Sequence, residues 1–251
     1  MILRTILGIS FAFIMPIIGA SCVFLFKNVN KKVNTIFYGL SAGIMLAATI
    51  WSLIIPSINN SNLGEFNFLP AVIGILIGAF FIVLLDFIVK KVNKTKKGLH
   101  KSFKIFLAMT IHNIPEGLAV GFAFGVGLNS NSIALVSSAL TLAIGIGLQN
   151  FPEGLATTLP LKSSLNSTKK AFLYGVFSCF VELVFSIIGV FLAYYLSFIM
   201  SYILAFSAGA MLYVIIEELL PEANLNGYNK LGTWSFIVGF LIMMILDVVL
   251  G

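Results

Sequence analysis

Residues 105–127 read IFLAMTIHNIPEGLAVGFAFGVG, an apolar window with His112, Asn113, Pro115 and Glu116 at its middle. A helix needs roughly 20 apolar residues to cross a bilayer, and this window is long enough. A charged residue at the centre of such a helix costs roughly 2.5–3.5 kcal/mol, so Glu116 requires compensation. The window at 133–160 repeats the problem: HNIPEG at 112–117 returns as QNFPEG at 149–154, with Glu153 again near the middle. Two copies of N-x-P-E-G on consecutive apolar windows are hard to treat as packing.

The rest of the chain fits the same solvent. Of 251 residues, 59% are hydrophobic and 10% charged, and the mean hydropathy is +1.07. Soluble domains are about a quarter charged. Apolar windows fall at about 2–26, 35–57, 68–89, 105–127, 133–160, 171–196, 198–220 and 233–250. The windows at 171–196 and 198–220 have no charged break between them and together are too long for one span, so the stretch must divide near Ser197. The expected fold is an all-α integral membrane protein of about eight transmembrane helices, forming one transport domain over 1–251. The N-terminal run MILRTILGIS continues apolar to Phe26 and reads as the first span rather than a cleaved signal. Cys22 and Cys179 lie inside apolar runs and make no disulfide framework.

The charges test this division. Lys27, Lys31 and Lys32 follow the first window, Lys90 to Lys104 the third, Lys162, Lys169 and Lys170 the fifth, and Lys230 the seventh. Of the 15 basic residues, only Arg4 falls on the other side. The positive-inside rule makes the lysine side cytoplasmic and both termini extracytoplasmic. The net charge of +6 is therefore membrane topology and does not call for nucleic acid. The Lys-rich loop at 90–104 reads as a topology anchor, with binding of anionic lipid headgroups as the alternative.

A third acid, Glu182, lies near the middle of the sixth window, and windows four to six contain no Lys or Arg to pair with these glutamates. They could be protonated, paired, water-lined or metal-bound, and the absence of a basic partner favours a cation from outside, or protons. Each acid has polar company at helical spacing. His112 and Glu116 are four apart, as are Gln149 and Glu153. Asn113 and Asn150 each sit three before the acid. Thr157 extends the fifth window's stripe, and Ser178, Glu182 and Ser186 line one side of the sixth. Pro115 and Pro152 should kink their helices and loosen the carbonyls of Ile111 and Leu148, while Gly117 and Gly154 allow close helix approach. Broken helices with ion sites at mid-membrane are a recurring transporter device. Carboxylates, amides and one imidazole suit zinc and other first-row divalent ions better than an all-oxygen calcium cage.

HNIPEG followed by QNFPEG resembles the ZIP family of metal transporters, near its GufA or ZupT-like branch. SAGIMLAATIWSLIIPS at 41–57 and SAGAMLYVIIEELLPEA at 207–223 are similar to that branch's second and seventh spans. The resemblance implies a binuclear metal site between spans four and five, with His112, Asn113 and Glu116 from one and Gln149, Asn150 and Glu153 from the other. Glu182 matches a span-six acid, although Leu183 stands where relatives often have proline. The position of Asn150 is an aspartate in some relatives. Glu217, Glu218 and Glu222 match a waypoint at the cytoplasmic exit. The loop between spans three and four has only His100 among lysines, unlike the histidine-rich loop of many relatives. Asp86 and Asp247 sit near span ends and are left out of the site.

The expected function is transport of divalent metal ions (zinc, with iron, manganese and cadmium as further cargo) towards the cytosol, by a multi-pass protein of the cell membrane, plasma or inner. The metal is cargo; no cofactor and no catalytic residue is expected. The family makes a homodimer the expected assembly. Two other classes stand beside this one. An intramembrane metallohydrolase would use the His112–Glu116 spacing, but the H-E-x-x-H pattern is absent. A proton-coupled carrier of an organic solute would have titrating glutamates without metal affinity.

Overall fold

The computed structural model describes the backbone of residues 1–25, 31–95, 101–224 and 228–250, with the side chains of 89–95, 101–106, 108, 109, 112, 156, 157, 160, 163, 164 and 250 outside the description. Among the described residues the secondary structure is entirely helical. Helix α1 (Ile2–Ser21) ends in a 3-10 turn, and α2 (Lys31–Ala48) runs through a π segment (Thr49–Ile54) into α3 (Ile55–Asn59). Then come α4 (Leu69–Thr95), α5 (Lys101–Asn129), α6 (Ile133–Leu165) and α7 (Thr168–Leu196). A 3-10 turn (Ser197–Ile199) leads to α8 (Met200–Val214), a second π segment (Ile215–Leu219), α9 (Leu220–Asn224) and α10 (Asn229–Leu250).

Six described segments are long and apolar enough to cross a membrane: Ile2–Phe24, Lys31–Asn59, Gly64–Ile88, Ile133–Leu155, Thr168–Asn224 and Asn229–Val249. The fifth, of 57 residues, is interrupted by the turn at Ser197–Ile199. Helix α5, which carries the first motif, is 29 residues long. Local chemistry sets the corners at both ends of α6. Ser132 caps its start, accepting from the Leu135 amide; at its end Asn166 takes the left-handed conformation and Ser167 caps α7, accepting from the Lys170 amide.

Large apolar side chains such as Leu76, Phe80, Phe177, Phe191 and Val248 point outward. That surface would be a liability in water and is the expected one against lipid, where helices satisfy every backbone group internally. The interior combines large buried side chains such as Phe122, Phe124 and Met45 with small residues and glycine. Four helix pairs pack tightly: α5 with α7, α1 with α6, α2 with α10 and α4 with α8. In each pair a glycine meets the partner's backbone. A Cβ at Gly121 would run into the Ser186 carbonyl, at Gly154 into that of Pro16, at Gly43 into that of Phe236, and at Gly78 into that of Phe206. Small residues that let backbones approach are how helices adhere where lipid removes the hydrophobic drive. Successive contacts advance together along both helices, as Gly39 with Gly232 and Gly43 with Phe236 do, so the paired helices run parallel.

Helices α5 and α6 stay α-helical through Pro115 and Pro152. The departures from α geometry lie instead in the π segments, in the two stretches that begin Ser41-Ala42-Gly43 and Ser207-Ala208-Gly209. Each is followed by a proline, Pro56 or Pro221. A proline removes one ladder bond, and widening the preceding turn accommodates the loss. The buried serine at the head of each stretch ties it to a motif helix. Ser41 Oγ donates to the Gln149 carbonyl at 3.1 Å, and Ser207 Oγ to the Pro115 carbonyl at 3.0 Å.

Candidate metal-transport site

The three mid-helix glutamates come from α5, α6 and α7. Glu116 and Glu182 are 0% and 1% exposed, and Glu153 is buried with them. They lie within electrostatic reach of one another. Three carboxylates in one dry space repel, so the amides between them matter. Gln149 Nε2 donates to Glu116 Oε1 at 2.8 Å, and Asn150 Nδ2 donates to Glu182 Oε2 at 3.0 Å. Consecutive residues on a helix point about 100° apart. Gln149 reaches α5, while Asn150 reaches α7 and stays close to Glu116, so α6 links both flanking helices.

These bonds leave oxygens over. Glu116 Oε2, Glu182 Oε1 and Gln149 Oε1 are buried and accept no hydrogen bond from the described residues. Buried acceptors of this kind are costly unless something electropositive meets them. Asn113 is held differently, with Nδ2 donating to the carbonyl of Ser178 at 2.8 Å and to its Oγ at 2.9 Å. A cavity of about 20 Å³, roughly the room one water molecule needs, is lined by Asn113, Asn150, Glu153, Ser178 and Cys179, with Pro16 and Ala20 of α1 closing it.

The structure thus brings Asn113, Glu116, Gln149, Asn150, Glu153 and Glu182 into one buried region of α5, α6 and α7. The side chain of His112 lies outside the described residues, as do His100 and the side chain of Thr157. Among the described residues no group of three or more His, Cys, Asp or Glu side chains stands ready to hold a metal. The donors here alternate between carboxylate and carboxamide. Glu217 and Glu222 are exposed and Glu218 is half-buried, on the second π segment and α9.

Several contributors carry no signal in the sequence. Helix α1 has no acid, yet Pro16 and Ala20 form a wall of the cavity. Ser41 and Ser207 look like small residues in apolar helices until the carbonyls they bind are seen. Asp247, near the end of α10, is buried and accepts from Ser52 Oγ at 2.5 Å, a pairing that joins α10 to the first π segment.

Comparison with known proteins agrees on one family. The family model described as "ZIP Zinc transporter" matches residues 100–247. Zinc transporter ZIP11 of Homo sapiens is 32% identical, over 100% of this chain and 98% of its own length. Zinc transporter GufA of Myxococcus xanthus is 31% identical over 93% of this chain and 94% of its own. Zinc transporter ZupT of Chlorobaculum parvum is 31% identical over 91% and 90%.

Proposed function

The chain belongs to the ZIP zinc transporter family, a multi-pass membrane protein that transports divalent metal and not an enzyme, and on that premise we propose that it carries zinc towards the cytosol across a cell membrane. The observation that carries this reading is the alternation of carboxylate and carboxamide across α5, α6 and α7, with buried oxygens of Glu116, Gln149 and Glu182 left over. Iron, manganese and cadmium suit the same hard-to-borderline donors and are proposed as further cargo. Glu116 and Gln149 with His112 form one position of a binuclear site, and Asn113, Asn150, Glu153 and Glu182 the other. Glu217, Glu218 and Glu222 receive the ion at the cytoplasmic exit.

The proposed topology has eight spans with both termini extracytoplasmic. The parallel register of the four tight pairs supports the span count, and the lysine distribution supports the orientation. In an alternating eight-span chain, the first pairs with the fifth, the second with the eighth, the third with the seventh and the fourth with the sixth, each pair sharing parity. The reversal between α7 and α8 at Ser197–Ile199 is needed for that parity to hold. A homodimer in lipid is the proposed assembly.

The mechanism follows from the donor set. A dehydrated cation replaces the missing hydrogen-bond donors at the leftover oxygens, which stabilises the three carboxylates together. Motion of the α1, α5, α6 and α7 group against the α2, α4, α8 and α10 group then changes which side the site faces. Titration of purified protein with zinc tests the site. Wild type should bind saturably, and Glu153→Ala should weaken binding at least tenfold. Equal affinity in both would remove the site from the account.

A further inference from the structure

Helices α5 and α7 meet in a fixed register. A Cβ at Gly117 would run into the carbonyl of Glu182, at Gly121 into that of Ser186, and at Gly125 into Val190. In this parallel seam each α5 residue faces the α7 carbonyl 65 positions on. One turn below Gly117, the seam position is Asn113, and its partner is Ser178 at the same spacing of 65. Three successive turns need glycine, so that the α7 carbonyl can lie against the α5 backbone. The fourth accepts a side chain because that side chain binds the carbonyl.

The chemistry of the contact fixes the amide. A carbonyl oxygen can only accept, so the NH2 end of Asn113 must face Ser178, and the 2.8 Å bond excludes the reversed amide. The Ser178 hydroxyl, itself 0% exposed, accepts the same NH2 at 2.9 Å. The amide oxygen is thereby turned away from α7. Asn113 and Ser178 both line the small cavity that Asn150 and Glu153 share.

We propose that Ser178 is a positioning residue for metal transport: by holding both donors of Asn113, it presents that residue's oxygen to the cation in the cavity beside Asn150 and Glu153. The inference rests on the reading of these residues as the cargo site. It differs from that reading in giving work to a residue that does not itself touch the ion. Partners that orient a metal's ligands set affinity nearly as strongly as the ligands do. Without the hydroxyl, one of the two restraints is lost and the amide samples orientations that turn its NH2 towards the cation.

The test is a double-mutant cycle on the full-length protein, with zinc affinity read by calorimetric titration and, in parallel, as the KM of zinc uptake by cells, which needs no purified protein. Ser178→Ala should weaken zinc about threefold to tenfold, the range of one hydrogen bond. Asn113→Ala should weaken it by more. The double variant should be no weaker than Asn113→Ala alone, because Ser178 acts only through that amide. A purely structural effect of Ser178 would add to that of Asn113 and would overturn the proposal. So would unchanged affinity in Ser178→Ala while Asn113→Ala binds weakly, an outcome that leaves the site reading intact. Unchanged affinity in Asn113→Ala and in Glu153→Ala would overturn both.

Discussion

Gln149 reaches from α6 to α5 and donates from Nε2 to Oε1 of Glu116 at 2.8 Å, and both side chains are completely buried. The bond does two things at once. It supplies a buried donor to that carboxylate, and it leaves the Gln149 carbonyl oxygen without a donor among the described residues. Gln149→Ala removes both. In the metal-free protein the stranded carboxylate should lower stability by about 1–3 kcal/mol. Zinc affinity should fall about tenfold with the lost oxygen and the loosened glutamate. Thermal unfolding and zinc titration of the same preparation check the pair.

Asn150 donates to Glu182 at 3.0 Å, so replacing it with an acceptor has opposite effects on the two states. Asn150→Asp should set two carboxylates against each other and destabilise the metal-free protein. Bound zinc should relieve that repulsion. The rise in unfolding temperature on adding saturating zinc should therefore be larger in the variant than in wild type. An equal or smaller rise would mean that Asn150 does not face the ion.

At its three glycine positions the α5–α7 seam should tolerate no side chain. Gly121→Val forces a branched Cβ into the Ser186 carbonyl, and the whole of α7 must move to admit it. Overpacking of this kind costs about 1–3 kcal/mol, and more where backbone blocks the relief. The variant should unfold at a lower temperature in detergent and lose zinc uptake, because Glu182 sits one turn away on the displaced helix. Gly64, with open space around it but a φ of +61°, should show only the modest penalty of its backbone conformation when changed to Ala.

Ser41 and Ser207 bind the Gln149 and Pro115 carbonyls from the two helices that carry π segments. Ser41→Ala and Ser207→Ala should each cost about 1 kcal/mol of stability, the net worth of a buried hydrogen bond. The sites lie on different helix pairs, so the double variant should lose the sum. Thermal unfolding of the single and double variants measures it.

The helical membrane class is legible in the sequence because almost nothing else can be done with a chain so short of charge. Length alone requires a break in the apolar run from 171 to 220, and the 3-10 turn at Ser197–Ile199 falls there. Helical spacing also puts Gln149 beside Glu153, and Asn113 near Glu116. What spacing cannot supply is the neighbour. Gln149 and Asn150 are adjacent in the chain, yet Gln149 donates to Glu116 of α5 and Asn150 to Glu182 of α7, and only the packing of three helices says which. The π segments are hidden for a similar reason. Pro115 and Pro152 advertise a break, but their helices continue, while the turns before Pro56 and Pro221 widen. The wall supplied by Pro16 and Ala20 is set by the glycine contact between α1 and α6, and glycine spacing names no partner.

The central claim is that the buried carboxylates of α5 and α6 carry the cargo, and uptake of radioactive zinc into proteoliposomes tests it most directly, with wild type and Glu116→Ala reconstituted at equal density. The account predicts saturable uptake by wild type and loss of at least nine-tenths of it in Glu116→Ala, with the order of zinc, iron(II), manganese and cadmium rates giving the selectivity. Undiminished uptake by a well-folded Glu116→Ala protein would contradict it.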